Sequence, residues 1–559
     1  MGPDIEEKEL TRQLQQITAL LNEEKGEEAW QLIEPLYEKK DLFCPERTID
    51  IINAAGCAKF LLFFVQESKQ LLEEGLNRSI AAKYAFGEAF ARCFLSSILR
   101  SMSKLKPALE HADRAKTLFE ESKSLLGESE DNLLLGQIYI ELGLSYHDLG
   151  QLQNAKTFME KALRIHREFD NRPGLYRVLQ ALYNRYYIFG DFEKAHQLAQ
   201  EAADIAKELN DELKIIDSMV LIGVILKRQG RLHEAELHFK GLDQKLKEIN
   251  DSRPITNNLQ RSLDYNLGHT LVLLGRHEEA RELFLKLLQI EQQDKHYFDL
   301  TGSQGLGLLA LSLGDYEKAT KYLETVLTTM RSAKPNSTAF VEELITLSTV
   351  YVELGEYEKA QTFLEEARQI QTESKYTAVF VSFGDGVLAQ AKRNLELASK
   401  SFHKSLKLAT EMGLSEYIIR ALFRLATLEF FEYRISGNRV SLGKMRDLLQ
   451  EAQQKATDSQ MPLLALEIGI LSSVACTANM EYDCAMLGFE QCESLAQQLG
   501  LSRKLEEIKA LIQDLREKRT QAAEVAIPEY SLADTQKISE YVDNVHKIIR
   551  TFSEGRSTG

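Results

Sequence analysis

Proline, tryptophan and long apolar runs are all scarce in this chain. Only 9 of its 559 residues are proline, and there is one tryptophan. The longest apolar run, residues 60–65, is far shorter than the roughly 20 residues that a membrane-spanning helix requires. The first ten residues include four acidic ones and no apolar stretch, so no secretory signal is recognisable there. We therefore expect no membrane insertion and a cytoplasmic location, and the scarcity of proline permits long helices.

The composition also argues against nucleic acid and metal. The net charge of −16 disfavours nucleic acid and anionic membranes as direct partners, although it permits a basic one. Six cysteines are scattered along the chain: Cys44, Cys57, Cys93, Cys476, Cys484 and Cys492. In a large protein this distribution is typical of unpaired thiols in a reducing compartment. The last three recur every eight residues, which is not the spacing of a metal knuckle, so we expect no metal and no cofactor.

No catalytic constellation is recognisable. His233 and His238 resemble a zinc-protease box, but they are five residues apart, whereas that motif requires four on one helical face. The three glycines within residues 301–307 do not follow the spacing of a phosphate-binding loop. No Walker lysine, nucleophile elbow, kinase or protease pattern occurs. We therefore expect that the protein is not an enzyme; the alternative is catalysis confined to the less regular ends.

What the chain does contain is a repeated motif of glycine, a polar residue, an aromatic residue or leucine, two polar residues and alanine. Six copies keep this order, and a seventh lacks the glycine. They occupy residues 150–155, 190–195, 230–235, 275–280, 314–319, 355–360 and 393–398. The copies begin 38 to 45 residues apart. A fixed period in this range indicates a solenoid of stacked units, not a set of compact domains.

Each unit is predicted to be a pair of helices joined at the glycine. Around the first copy, Leu142 and Tyr146 precede the bend and Ala155 and Met159 follow it, each set spaced four residues apart on one helical face. Glycine ends a helix readily because it adopts a left-handed backbone without a Cβ penalty. The polar residue after it suits the N-terminus of the second helix.

This pattern resembles the tetratricopeptide repeat (TPR). The family's order of bulky residue, Leu-Gly, aromatic residue, glycine, alanine and phenylalanine is followed closely by Leu267-Gly268, Leu271, Gly275, Ala280 and Phe284. The usual unit has about 34 residues, whereas the units here have nearer 40. This longer form is similar to the repeats of the Gα-binding polarity scaffolds, the maltose-type transcription activators and the peptide-sensing regulators of bacteria.

The resemblance implies an all-α protein, a right-handed α-solenoid of antiparallel helix pairs with about 10–12 repeats. We expect degenerate repeats that cap the array in residues 1–130, and a regular array of about seven repeats in residues 136–412. Residues 413–526 are expected to hold irregular repeats with an inserted loop at 433–443. A further helix and a disordered tail are expected in residues 529–559.

In the family the first helix of each unit lines the concave side, so its second, fifth, ninth, twelfth and thirteenth positions face a groove. These positions mix polar and aromatic groups, which suit the binding of a peptide backbone. The residues implied are Arg177, Gln180, Asn184, Tyr187, Asp217, Lys227, Arg228, Tyr265, His269, Gln304, Glu342 and Thr349. The carboxylate clamp of chaperone-binding members is not recognisable, because Gln180 and Leu221 flank Asn184 where lysine or asparagine would be needed.

Two functions fit this pattern. The first is a non-enzymatic scaffold that binds a peptide or helical segment of a partner protein in its concave groove. The second is a sensor, whose superhelix responds to a small peptide or ligand and controls a signalling or transcription effector. The repeat pattern is common to both, and it leaves the partner and the oligomeric state open.

Overall fold

The computed structural model describes residues 3–122, 130–249, 254–293, 300–333, 337–370 and 374–524. Within these ranges the chain forms 25 α-helices, one short 3-10 helix (Lys40–Leu42) and no strand. The helices form twelve successive pairs followed by a final helix, which confirms the predicted all-α solenoid of helix pairs. The helix and tail expected in residues 529–559 lie outside the described residues.

The helices are numbered along the chain. They are α1 (Pro3–Asn22), α2 (Gly26–Glu38), α3 (Pro45–Leu61), α4 (Val65–Ala82), α5 (Ala85–Ser101), α6 (Leu105–Ser122), α7 (Glu130–Asp148), α8 (Leu152–Glu168), α9 (Arg172–Phe189), α10 (Phe192–Glu208), α11 (Glu212–Arg228), α12 (Leu232–Ile249), α13 (Pro254–Leu273), α14 (His277–Gln293), α15 (Thr301–Ser312), α16 (Tyr316–Ala333), α17 (Thr338–Glu353), α18 (Tyr357–Gln369), α19 (Lys375–Ala391), α20 (Leu395–Met412), α21 (Ser415–Ser436), α22 (Arg439–Asp458), α23 (Pro462–Ala478), α24 (Tyr482–Gln498) and α25 (Ser502–Glu524).

The motif glycines end the first helix of each pair, as predicted. The six glycines that open the motif copies all have a left-handed backbone, with φ between 72° and 80°. Arg393 takes this conformation in the copy that lacks glycine, with φ of 61°. At the next residue a side chain caps the second helix in several copies; Asp191, for example, accepts a hydrogen bond from the backbone N–H of Lys194 at 3.0 Å.

The expected loop at 433–443 is wrong. Helix α21 continues to Ser436 and α22 begins at Arg439, so only two residues separate them. Gly437 ends α21 with φ of 67°, and the Asn438 side chain accepts the backbone N–H of Val440 at 2.9 Å. Glycine followed by a capping asparagine therefore makes a tight bend. Within this range Ser436 and Arg439 are exposed at the adjoining ends of the two helices, whereas Ser441 is buried.

Successive turns of the superhelix touch each other. The Ser374 hydroxyl donates to the Ile188 carbonyl at 3.0 Å, and the Ser415 hydroxyl donates to the Gln229 carbonyl at 2.6 Å; both pairs are 186 residues apart. Arg503 donates from Nη1 to the Gly314 carbonyl at 3.2 Å, across 189 residues. The regular offset shows that one turn takes between four and five repeats. We call these contacts between turns the seam.

The inner helices are consequently buried almost all round. In α9 the one exposed residue is Asn184, in α11 it is Glu212, and the described part of α15 has none. The outer helix α10, by contrast, exposes charged residues such as Glu193, Lys194 and Asp204. A single apolar cluster extends from Ile140 to Ala475. The inner wall is therefore packed against itself and does not form an open groove.

Candidate functional site

Four side chains from four inner helices meet across the axis of the superhelix. Arg228 of α11 donates from Nε to the Tyr187 hydroxyl at 2.9 Å and from Nη2 to the Glu342 carboxylate at 3.2 Å. The Tyr376 hydroxyl donates to the second oxygen of Glu342 at 3.1 Å. The guanidinium lies 5.5 Å from the centroid of the Tyr376 ring. Tyr187, Arg228, Glu342 and Tyr376 are called the axial cluster below.

The axial cluster is poorly solvated. The side chains of Arg228 and Glu342 are 17% and 24% exposed. Burial disfavours the charge of Arg228, but Glu342 and the hydroxyl of Tyr187 outweigh it and raise the pKa of the guanidinium well above its usual value. Burial raises the pKa of Tyr376 well above the ordinary range. The cluster therefore holds the Arg228–Glu342 ion pair beside the neutral phenol of Tyr376.

A second cation lies beside the cluster. Lys227 is only 4% exposed, and its Nζ donates to the Asn266 side-chain oxygen at 2.8 Å. The Nδ1 atom of His269 is 3.4 Å from the same nitrogen. Burial lowers the pKa of Lys227 to about 7, with a further contribution from Arg228. Burial also lowers the pKa of His269 well below its usual value, so this imidazole is neutral.

The low pKa of Lys227 predicts that stability rises with pH. An unfolded lysine has a pKa of 10.5, whereas Lys227 in the fold has a pKa of about 7. Between these values the unfolded state binds more protons, so the free energy of unfolding increases from about pH 7 upwards, and the full penalty of burying the charge applies below pH 7. We expect Lys227→Met to lose this slope. The measurement is the difference in unfolding free energy between variant and wild type at about pH 6 and about pH 9.

Lys247 supplies the control for this titration. It lies on an outer helix with its side chain 65% exposed, paired with Asp243 at 2.6 Å. Lys247→Met should therefore leave the pH dependence unchanged. If Lys227→Met and wild type keep the same pH profile, the Lys227 ammonium is not desolvated in the fold.

The remaining predicted groove residues form separate pairs along the inner wall. Arg177 donates to Gln137 at 2.8 Å and to the buried carboxylate of Glu141 at 3.2 Å. Gln180 donates to Asp217, whose carboxylate also accepts the Tyr176 hydroxyl at 3.0 Å. Burial raises the pKa of Asp217 in spite of these bonds.

Two further groove residues contact neighbours on their own or the next inner helix. Gln304 donates to Glu343, and burial raises the pKa of that carboxyl to about 8. The Thr349 hydroxyl donates to the Ile345 carbonyl, one helical turn earlier in α17, at 3.0 Å.

The structure thus brings together five of the twelve predicted residues and distributes the others. Tyr187, Arg228 and Glu342 share the axial cluster, and Lys227 and His269 adjoin it. The Lys227 ammonium also lies 5.9 Å from the Tyr265 ring. Asn184 is the one predicted residue that is exposed. Whether any of these residues binds a partner stays a prediction.

Sequence reasoning missed Tyr376, which completes the axial cluster. It occupies the start of α19, one full superhelical turn after Tyr187, and their ring centroids are 5.7 Å apart. The only feature of Tyr376 that the sequence offers is that it follows Tyr187 by 189 residues. This spacing is informative only when the number of repeats per superhelical turn is known, and the repeat motif does not encode that number.

In the described part of the chain, no helix has the length and apolar character needed to cross a bilayer.

The chain is similar to known repeat proteins. The family described as MalT-like TPR region matches residues 88–397. The protein named kinesin light chain-related 3 of Arabidopsis thaliana is 23% identical over 247 residues, which cover 43% of this chain and 38% of the relative. The match therefore spans less than two fifths of the length of that curated relative.

Two solved structures are also similar. The apo form of the quorum sensor NprR from B. thuringiensis has 16% identity and a TM-score of 0.48, covering 65% of this chain and 99% of that one. The apo form of RapI has 15% identity and a TM-score of 0.45, covering 65% of this chain and 97% of that one.

Proposed function

The chain belongs to the MalT-like TPR family, and from this premise we propose that it is a non-enzymatic scaffold that binds a peptide or helical segment of another protein. The proposed binding surface is the inner wall around the axial cluster. The observation that carries the proposal is the ion pair between Arg228 and Glu342, which joins two inner helices 114 residues apart. A solenoid is stabilised by contacts within and between neighbouring repeats, whereas this polar contact joins repeats that are not neighbours in the chain.

Energetics support a site that exchanges partners. Two charges that leave water lose hydration which their mutual attraction only partly replaces, so a buried pair adds little net stability over apolar packing. A carboxylate of a ligand can take the place of Glu342 on the guanidinium with the same hydrogen-bond geometry. Tyr187 and Tyr376 offer contact area with little loss of side-chain entropy. We therefore propose that Arg228 binds an acidic side chain or a terminal carboxylate of the partner.

The packed inner wall favours a second candidate function, the sensor. A ligand that reaches Arg228 has to separate α11 from α17, and α19 and α21 of the following turn contact α9 and the end of α11 through the seam. Binding energy would thus be coupled to the spacing of the superhelical turns. Such a change in shape can control an effector bound elsewhere, which is the additional property that separates a sensor from a static scaffold.

The test compares two variants of one ion pair. Peptides are selected on the full chain from a random display library, and their affinities are measured by titration calorimetry. We expect Arg228→Gln to weaken binding of acidic peptides by about tenfold or more, because a charge-assisted hydrogen bond is lost. We expect Glu342→Gln to strengthen it several-fold, because the competing carboxylate becomes neutral. A purely structural pair would change binding in the same direction in both variants.

The outer surface provides the matched control. Arg231 and Glu234 lie at the start of the outer helix α12 and form an ion pair with side chains 52% and 57% exposed. Arg231→Gln and Glu234→Gln should leave peptide affinity unchanged. Selected peptides without acidic enrichment, or equal losses in both inner variants, would refute the inner-wall site. X-ray scattering then separates the two functions, because a ligand-dependent radius of gyration supports the sensor and a constant one supports the scaffold.

A further inference from the structure

Two cysteines that the sequence suggests are unpaired come together at one helix bend. Cys476 lies near the end of α23 and Cys484 lies in the first turn of α24. Their Sγ atoms are 2.7 Å apart. Cys476 is 7% exposed and Cys484 is exposed to solvent. The bend between them is sharp, since Met480 has a left-handed backbone with φ of 63°.

A carboxylate completes the surroundings of the two thiols, but it is already engaged. One oxygen of Glu481 accepts from Arg446 Nη2 at 2.6 Å, and the other accepts from the Asn479 side chain at 2.7 Å. Each of Cys476, Glu481 and Cys484 offers one atom within 4.8 Å of the others, which is the size of a metal site. A metal ion would have to displace Arg446 or Asn479 from the carboxylate and would find three protein ligands among the described residues. The bonds of Glu481 therefore favour chemistry between the two sulfurs alone.

The two thiols differ in a way that suits stepwise exchange. Burial, the contact with Cys484 and the charge of Glu481 raise the pKa of Cys476 to about 12, so this thiol is protonated at rest. Cys484 is accessible to a reagent, and the guanidinium of Arg446, paired with Glu481, provides positive charge near both sulfurs. An exposed attacking thiol beside a sheltered second thiol is the arrangement of a reversible dithiol.

We propose that Cys476 and Cys484 form a site of thiol–disulfide exchange, which takes small disulfides such as oxidised glutathione. The Cys484 thiolate attacks one sulfur of the reagent, the reagent's S–S bond breaks, and one glutathione thiolate leaves. Cys476 then gives up its proton and attacks Sγ of Cys484, which displaces the second glutathione. The two cysteines lose two protons and two electrons in all, and one disulfide is reduced to two thiols.

A disulfide between Cys476 and Cys484 would cross-link the helix pair α23–α24, which takes part in the seam. Its far end contains Pro462 and Leu499, which lie on Gly275 of the preceding superhelical turn: a Cβ placed at Gly275 would be 3.1 Å from Pro462 Cγ and 2.5 Å from Leu499 Cδ2. Oxidation closes a small loop between two helices that are already neighbours. We therefore expect a change in the stability of this hairpin and not a change of fold.

The experiment counts thiols in the full chain. The protein is equilibrated with oxidised and reduced glutathione, quenched in acid, denatured and alkylated, and its mass and disulfide-linked peptides are determined. We expect alkylatable thiols to fall from six to four with increasing oxidation, with one peptide pair joining Cys476 to Cys484. Cys44→Ser removes another exposed thiol and should leave this cross-link unchanged. Cys484→Ser, at an exposed position that should not disturb folding, should abolish the loss of two thiols.

Three results would overturn the proposal. The first is a stable mixed disulfide of Cys484 with glutathione, since Cys476 would then be unable to reach it. The second is cross-linking between chains in place of the internal bond. The third is one equivalent of zinc retained by the reduced protein after dialysis and lost in both Cys484→Ser and Glu481→Gln, since this would assign the same residues to a metal.

Discussion

Replacing Arg228 by leucine is expected to lower the free energy of unfolding by about 3 kcal/mol, because one partner of a poorly solvated ion pair is removed. Glu342 would stay beside Tyr376 without its counter-charge, and the Tyr187 hydroxyl would lose the donor 2.9 Å away. The loss should appear as a lower midpoint in urea unfolding followed by circular dichroism. Helix content of the folded variant should be unchanged, since neither Arg228 nor Glu342 caps a helix.

A second substitution tests whether the cost comes from the unpaired carboxylate. In the double variant Arg228→Leu/Glu342→Leu no charge is left behind, so we expect most of the stability to return. The control is Arg231→Leu, which breaks an exposed pair on the outer surface and should cost less than about 1 kcal/mol. Equal losses for Arg228→Leu and Arg231→Leu would mean that water reaches the axial cluster freely.

Both outcomes bear on function as well as stability. If the double leucine variant is as stable as wild type, the ion pair is not required to hold α11 and α17 together. The polar side chains would then be there for specificity or for exchange with a ligand, which is the property that the proposed binding site needs. If the double variant stays strongly destabilised, packing around Arg228 is the main contribution of this side chain.

The helix pairs were within reach of sequence reasoning because their signals are local. The glycine at each bend, the alanine after it and the spacing of bulky residues all act within one repeat, so Gly190 and Ala195 indicate a hairpin without knowledge of the rest. The same local signals also correct the expected loop at 433–443. Gly437 followed by Asn438 is a C-cap and an N-cap in succession, and this pair marks a tight bend between two helices.

The contacts between superhelical turns could not be predicted in this way. They depend on the small rotation between adjacent repeats, summed over four to five units, and on no single motif. The groove position of Arg228 follows from its place in the repeat, but its contact with Glu342 follows from the closure of the turn. The same limit applies to Ser415, which reads as the start of an ordinary helix and donates across the seam to Gln229. The sequence therefore predicts which residues line the inside of the solenoid, but it does not predict which of them meet across or between superhelical turns.

The seam itself predicts a strong effect at one glycine. In Gly230→Ala the new Cβ would lie 2.8 Å from Ser415 Cβ and 2.5 Å from the Ser459 hydroxyl, both on the following turn. Ser415 Cβ is fixed to its backbone, so the turns have to move apart and the Ser415 to Gln229 hydrogen bond, 2.6 Å long, is lost. With the strain of a left-handed alanine at φ of 77°, we expect a loss of about 3 kcal/mol.

Gly314 separates backbone strain from the clash. It has the same place in its repeat and a φ of 72°, but a Cβ there would meet no atom within 4 Å. Gly314→Ala should therefore cost only the roughly 1 kcal/mol of the left-handed conformation. Hydrogen exchange locates the difference, because only Gly230→Ala should accelerate exchange of the first amides of α21, where Ser415 lies. Equal losses of stability and equal exchange rates in the two variants would show that successive turns are not in contact in solution. The axial cluster would then be accessible to solvent.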